Sequence, residues 1–168
     1  MSEQSEQSEQ PEQPEQTSAP ALSEAERLEL DRSVRLVAEA ALAKKATAVV
    51  VLDVAGRADY TDRFVICSAS SERQVRAIAQ SVLGTLKDAG EPPLGVEGLG
   101  GGAWVLVDLG DVVFHAFHGS ARGYYDLEGL WADAPRISLD SLGVEIPADE
   151  AAEFDDDFLF DSHMAPLA

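Results

Sequence analysis

Residues 104–131 read WVLVDLGDVVFHAFHGSARGYYDLEGLW, two apolar runs that meet at Asp108-Leu109-Gly110-Asp111. Each run alternates with period two, and the glycine marks a tight reversal, so the stretch predicts a β-hairpin. A two-residue Leu109-Gly110 turn pairs Asp108 with Asp111, Val107 with Val112 and Trp104 with His115, glycine taking the positive φ that such turns require. The alternation then divides the hairpin into two faces. Val105, Val107, Val112, Phe114 and Ala116 form a uniformly apolar side suited to a core. Trp104, Leu106, Asp108, Asp111, Val113, His115 and Phe117 form a side too apolar for bare solvent and too polar for a core. That mixture suits a docking surface, with aromatic anchors and rim charges; the alternative is that the first and third helices cover it. A β-bulge at the turn would shift the register. Beyond the hairpin, Tyr124, Leu127 and Trp131 at i, i+3 and i+7 predict one short helix, ended by Pro135.

Working towards the N-terminus, the glycine-rich PLGVEGLGGGA reads as a flexible connector with one short strand near residues 94–97. Before it, Ser71 and Gln74 carry a capping signal for a helix along Val75, Ile78, Ala79, Val82, Leu83 and Leu86, stopped by Gly90 and the prolines after it. RFVICSA (63–69) and TAVVVLDV (47–54) read as strands, the second buried on both sides. Ser23 with Glu26 caps a helix over residues 24–45, with Leu30, Val34, Val37, Ala38 and Ala41 on its apolar face. "RISL" after Pro135 is a last extended piece. The order α-β-β-α-(β)-β-β-α predicts a single α/β domain on a mixed β-sheet flanked by helices, since adjacent strands without a helix between them exclude a purely parallel sheet.

The chain has 168 residues and a formal charge of −19. Residues 1–20 hold five acids and residues 141–168 eight, with no Lys or Arg in either. The acidity is therefore concentrated at the ends. Residues 1–21 read as a disordered, acidic, low-complexity tail built on SEQ and PEQ repeats, residues 22–140 as the folded domain, and residues 141–168 as a mobile acidic tail in which, after Gly143, only Phe154, Phe158, Leu159 and Phe160 offer anchors. Neither a signal peptide nor a transit peptide is expected at the start, and no window is apolar enough for a membrane helix. The lone Cys67 reads as a small core residue in a strand. These features point to a cytoplasmic protein of a reducing compartment. The longest basic run is Lys44-Lys45, which disfavours a nucleic-acid binder and favours a basic protein partner.

No catalytic chemistry is well supported. His115 and His118 project to opposite faces of a strand, so no metal site is expected, and one cysteine adds nothing to it. GLGGG lacks both the following helix and the Lys-Ser/Thr pair of a phosphate loop. Asp108 and Asp111 stand at i, i+3 across a turn, whereas a two-metal nucleotidyltransferase needs acids at i, i+2 on one strand, and Asp53 supplies a third only by chance of the fold. Neither Cys67 nor any serine lies in a nucleophile elbow.

In combination, VLDV, TDRFVICSASSERQVRAIA, GVEG, WVLVDLGDVVFHAF and RGYYDLEGLW closely resemble the ribosomal silencing factor (RsfS, Iojap-like) family over residues 28–137. The resemblance rests on Asp53, Thr61-Asp62, Ser71 with Arg73-Gln74-Val75, Glu97-Gly98, Trp104 four residues before Asp108-Leu109-Gly110-Asp111, His115, Arg122, and Tyr125, Leu127, Glu128 and Trp131. It implies a non-enzymatic translation repressor, without cofactor, that binds ribosomal protein L fourteen of the large subunit and blocks subunit joining when nutrients are scarce. The implied fold is that of a nucleotidyltransferase without its catalytic acids, and the resemblance allows a homodimer off the ribosome. Under it, Trp104 anchors the partner, Asp108 and Asp111 face its Lys and Arg, and His115 lies beside the indole. Tyr125 and Glu128 flank the contact, whereas Trp131 at helical spacing reads as core. Thr61 and Asp62 either touch the partner or fix their loop, and Asp53 reads as a strand-end residue. Two departures stand out: Arg63 in place of an aromatic, which alters a rim contact, and Ala69 in place of a glycine. The competing reading is a magnesium-dependent nucleotidyltransferase-like enzyme using Asp53, Asp108 and Asp111.

Overall fold

A computed structural model describes residues 21–148. The first helix, α1 (Glu24–Leu42), starts on a complete capping box: the Ser23 hydroxyl accepts from the Glu26 amide while the Glu26 carboxylate accepts from the Ser23 amide. Strands β1 (Thr47–Asp53) and β2 (Arg63–Ala69) follow, then α2 (Glu72–Asp88), β3 (Gly95–Glu97), β4 (Trp104–Asp108), β5 (Val112–His118), α3 (Gly119–Tyr125), α4 (Leu127–Leu130), β6 (Arg136–Ile137) and a 3-10 turn, Asp140–Leu142. The six strands form one mixed sheet in the order β3-β4-β5-β2-β1-β6. Only β2 and β5 pair in parallel, and all other neighbours are antiparallel.

The two faces of the sheet carry separate apolar layers. Val51, Val65, Cys67, Val105, Val107, Val112, Phe114 and Ala116 point to the side covered by the buried stripes of α1 and α2. Leu52, Phe64, Ile66, Val113 and Phe117 point to the other, where α3, α4 and the turn after them supply Ala121, Leu127, Trp131 and Ala134. The division of hairpin residues between faces is therefore the one their alternation predicts. Its covering differs: α1 and α2 share the first face, and the predicted last helix alone reaches the second.

Four expectations need correction. The hairpin turn is Gly110-Asp111, not Leu109-Gly110: Leu109 bonds to Val112 across it, and Trp104 stands opposite Phe117 instead of His115. Gly110 takes φ +94°, and the Asp108 carboxylate accepts its amide at 2.8 Å. The single helix after β5 is two, broken at Asp126 in the left-handed region with φ +44°. The glycine-rich connector is a tied loop: Gly102 donates to the Gly98 carbonyl, and Arg76 reaches the Gly100 and Gly101 carbonyls. At Gly98, with φ +86°, an added Cβ would strike the Trp104 backbone, so the chain leaves β3 through a position only glycine fills. Finally, Val144 is buried in the first core layer, so packing continues beyond residue 140. The predicted N-terminal tail falls almost wholly outside the described residues, as does the C-terminal tail beyond 148, including its phenylalanines.

Candidate functional site: an aromatic and acidic docking edge

On the second face, α3 and α4 leave the outer part of the sheet uncovered. Trp104, Leu106 and Asp108 of β4 are half-buried there. Val96 of β3 packs into the first layer, so strand alternation turns its neighbour Glu97, which is exposed, to the same side as Leu106. Glu97 figured only in the resemblance and not among the expected contacts; its cross-strand register with Leu106 is the signal that places it here.

An aromatic group occupies one end of β4. The Trp104 ring stacks on Phe117 with centroids 5.0 Å apart and meets Tyr125 at 4.7 Å. Tyr125 is 52 % exposed and packs edge-on against Tyr124, which is 83 % exposed. The break at Asp126 is what separates these side chains. It leaves Tyr124 and Tyr125 at the surface on α3 while Leu127 and Trp131 enter the second layer, Trp131 meeting Phe64 edge to face at 5.6 Å. Behind Trp104 lies His115, only 3 % exposed, whose Nδ1 accepts from the indole Nε1 at 3.1 Å. Burial pushes the imidazole pKa down to about 4, so the ring is neutral. His115 thus sits beside Trp104 as expected, but beneath the surface rather than on it.

The other end is acidic. Asp111 is exposed in the turn, and its carbonyl accepts from the amides of Asp62 and Arg63, which brings the start of β2 against the hairpin. Burial and then the nearby Asp111 charge raise the pKa of Asp62. A cleft of about 520 Å³ opens from this turn towards α1, lined by Glu26, Glu29, Asp62, Glu91 and Asp111 against Arg32, whose guanidinium is already paired with Glu91 at 2.7 Å. Thr61 is buried with its hydroxyl turned to the Arg63 carbonyl, a position that fixes the loop.

The remaining expected residues make contacts within the fold. Glu128 bridges Arg122 at 2.7 Å and Arg136 at 3.2 Å, so its carboxylate is engaged within the fold. Arg122 also donates to the Ala48 carbonyl, where β1 bulges, and to the Ser68 hydroxyl. Arg63 does not form a rim: it is buried and paired with Asp53 at 2.7 Å. Asp53 also accepts the Ala55 amide, as a strand-end residue does. With β1 three strands from β4, the two lie roughly 14 Å apart at about 4.8 Å per strand, so Asp53 and Asp108 are too far apart to share a metal pair. No cluster of three or more His, Cys, Asp or Glu suited to a metal ion occurs among the described residues, and no described helix is long and apolar enough to cross a membrane.

Comparison with known proteins places this edge in context. Residues 27–158 match the family model described as "ribosomal silencing factor during starvation". The chain belongs to the ribosomal silencing factor family. The silencing factor RsfS of Halalkalibacterium halodurans is 44 % identical over 59 % of this chain and 85 % of its own length. That of Bacillus subtilis is 42 % identical over 64 % of this chain and 91 % of its own. A crystal structure from Chromobacterium violaceum superposes with a TM-score of 0.60 at 39 % identity, covering 61 % of this chain and 86 % of the other. The sheet with its flanking helices is thus the architecture of an experimentally determined relative, and the family name ties the protein to translation and the ribosome.

Proposed function

We propose that this silencing factor is a non-enzymatic repressor that acts in the cytoplasm. It docks on the large ribosomal subunit through ribosomal protein L fourteen, occludes the small subunit and lowers protein synthesis when nutrients are scarce. The carrying observation is the half-buried Trp104 packed on the exposed Tyr125 at the uncovered edge of a sheet whose other end is acidic. Aromatic anchors surrounded by charge are what a protein interface uses to gain affinity and to select a partner. Asp108, Asp111, Asp62 and Glu97 favour a partner rich in Lys and Arg and disfavour a phosphate backbone. Thr61, His115 and Glu128 support this surface from within. The reading includes a homodimer away from the ribosome.

Co-sedimentation with purified large subunits and a light-scattering assay of subunit joining test the reading. The intact protein binds large subunits and inhibits joining. Trp104→Ala, at a half-buried position, weakens binding by roughly thirtyfold, the loss of an anchor worth about 2 kcal/mol. Unchanged sedimentation and inhibition by that variant, with its fold intact, would reject Trp104 as the anchor.

A further inference from the structure

The Trp104 indole carries one polar atom, and that atom is directed inward. Nε1 donates to His115 Nδ1 at 3.1 Å, across the diagonal between β4 and β5. An Nδ1 that accepts leaves the proton of neutral imidazole on Nε2. Nε2 is buried and has no hydrogen-bond partner among the described residues. The ring is held instead by aromatic neighbours: Phe64 edge to face at 5.2 Å, and Phe117 nearly parallel at 6.1 Å. Its polar contact is therefore with Trp104, while its shape is fixed by packing.

Resting on the reading of this face as a docking surface, we propose that His115 is a positioning residue for the interface. By accepting the indole proton it fixes the Trp104 ring with its N–H turned into the protein, so a partner meets ring carbon alone. The matching group is then an aliphatic or cationic side chain, the stem and head of a Lys or Arg, and not a hydrogen-bond acceptor. Phe117 and Tyr125 limit the ring from two further directions, and the acids on β4 and its turn favour the cationic choice. A tryptophan fixed before binding loses less freedom when the complex forms, and the gain appears as affinity.

The experiment pairs two substitutions with two readouts. His115→Leu keeps an apolar filling but removes the acceptor; His115→Asn restores an oxygen near the Nδ1 position. In large-subunit binding, His115→Leu is expected to be roughly fivefold to tenfold weaker, the scale of one lost hydrogen bond, and His115→Asn to recover most of that loss. In ¹⁵N-labelled full-length protein, the Trp104 indole proton, assigned against Trp131→Phe, exchanges slowly with water in wild type and His115→Asn and quickly in His115→Leu. Should either variant fail to fold, the wild-type imidazole nitrogens decide the matter: the proton is expected on Nε2, and a proton on Nδ1 overturns the proposal. Wild-type binding with His115→Leu equally tight, or with His115→Asn as weak as His115→Leu, also overturns it and leaves the docking reading standing. Absence of wild-type binding removes the docking reading and the proposal with it.

Discussion

The imidazole of His115 is enclosed by Phe64, Phe117 and Trp104, and its pKa falls from 6.5 to about 4 because burial penalises the charged form. The unfolded chain, in which the ring titrates near its ordinary value, takes up a proton first as pH falls. Folding stability from this group is therefore complete above pH 6.5 and is lost progressively as pH drops towards 4, below which both states are protonated. Over that window the loss is about 3 kcal/mol at about 1.4 kcal/mol per unit. Carboxylates titrate in part of the same range, so the measurement is a difference: urea unfolding of wild type and His115→Leu at steps between pH 7 and pH 4.5. Wild type is expected to lose stability more steeply, and parallel curves would show that His115 does not remain neutral in the folded protein. The adjacency of His115 and Trp104 was legible in the sequence because both alternate onto one face. Its depth was not, since it depends on Phe64 arriving from β2, a strand whose place beside β5 no local pattern records.

Among the elements, α3 and α4 are short and contribute no buried residue of their own, so their attachment depends on specific contacts. Arg122 provides several at once, pairing with Glu128 on α4 and donating to the Ala48 carbonyl in the β1 bulge and to Ser68 of β2. Its side chain is 14 % exposed, so solvent screens the pair little. Arg122→Ala is expected to cost about 2–3 kcal/mol, less than a fully orphaned buried charge because Arg136 still faces Glu128. Chemical denaturation should show a lower midpoint at unchanged m-value, and a midpoint equal to wild type would remove Arg122 as the clamp. Arg122→Lys should restore little, because a single ammonium cannot reproduce the planar fork. The helices and long strands were legible from capping residues and period, as Ser23-Glu26 and Ser71-Gln74 illustrate. The break at Asp126 was obscured because Tyr124, Leu127 and Trp131 match a continuous helix. The available signal was Asp126 itself, which accepts the Gly129 amide as an N-cap and tolerates the left-handed region. At the hairpin, Gly110 suits either central turn position, and Asp108 holding its amide selects the one observed. Moving the turn by one residue shifts the pairing by two, which preserves both faces and changes only which residues stand opposite.

At the scale of the whole molecule, the net charge of −19 sets a negative field, thirteen charges of which lie in residues 1–20 and 141–168. Charges more than about 8 Å from a contact are largely screened at physiological salt, so the acids at the hairpin turn act on a partner that touches it. Asp111 and Asp62 stand together there, and the Asp111 charge, after burial, raises the pKa of Asp62. Like charges brought close together oppose folding, so a useful role for the pair lies in binding. Charge reversal separates the two effects. Asp111→Lys removes the repulsion with Asp62 and places an opposite charge beside it, so folding stability should stay level or rise slightly. Association with a basic partner should nevertheless slow, by roughly threefold to tenfold at low salt, and depend less on ionic strength. Stopped-flow association with large subunits over a salt series, beside thermal unfolding of the same samples, measures both. A variant that loses stability and association together would mean that the turn acts only through the fold. One that keeps its stability while losing its salt-dependent rate places the function of Asp111 at the interface, where a like-charge pair is retained although an uncharged turn would fold as well.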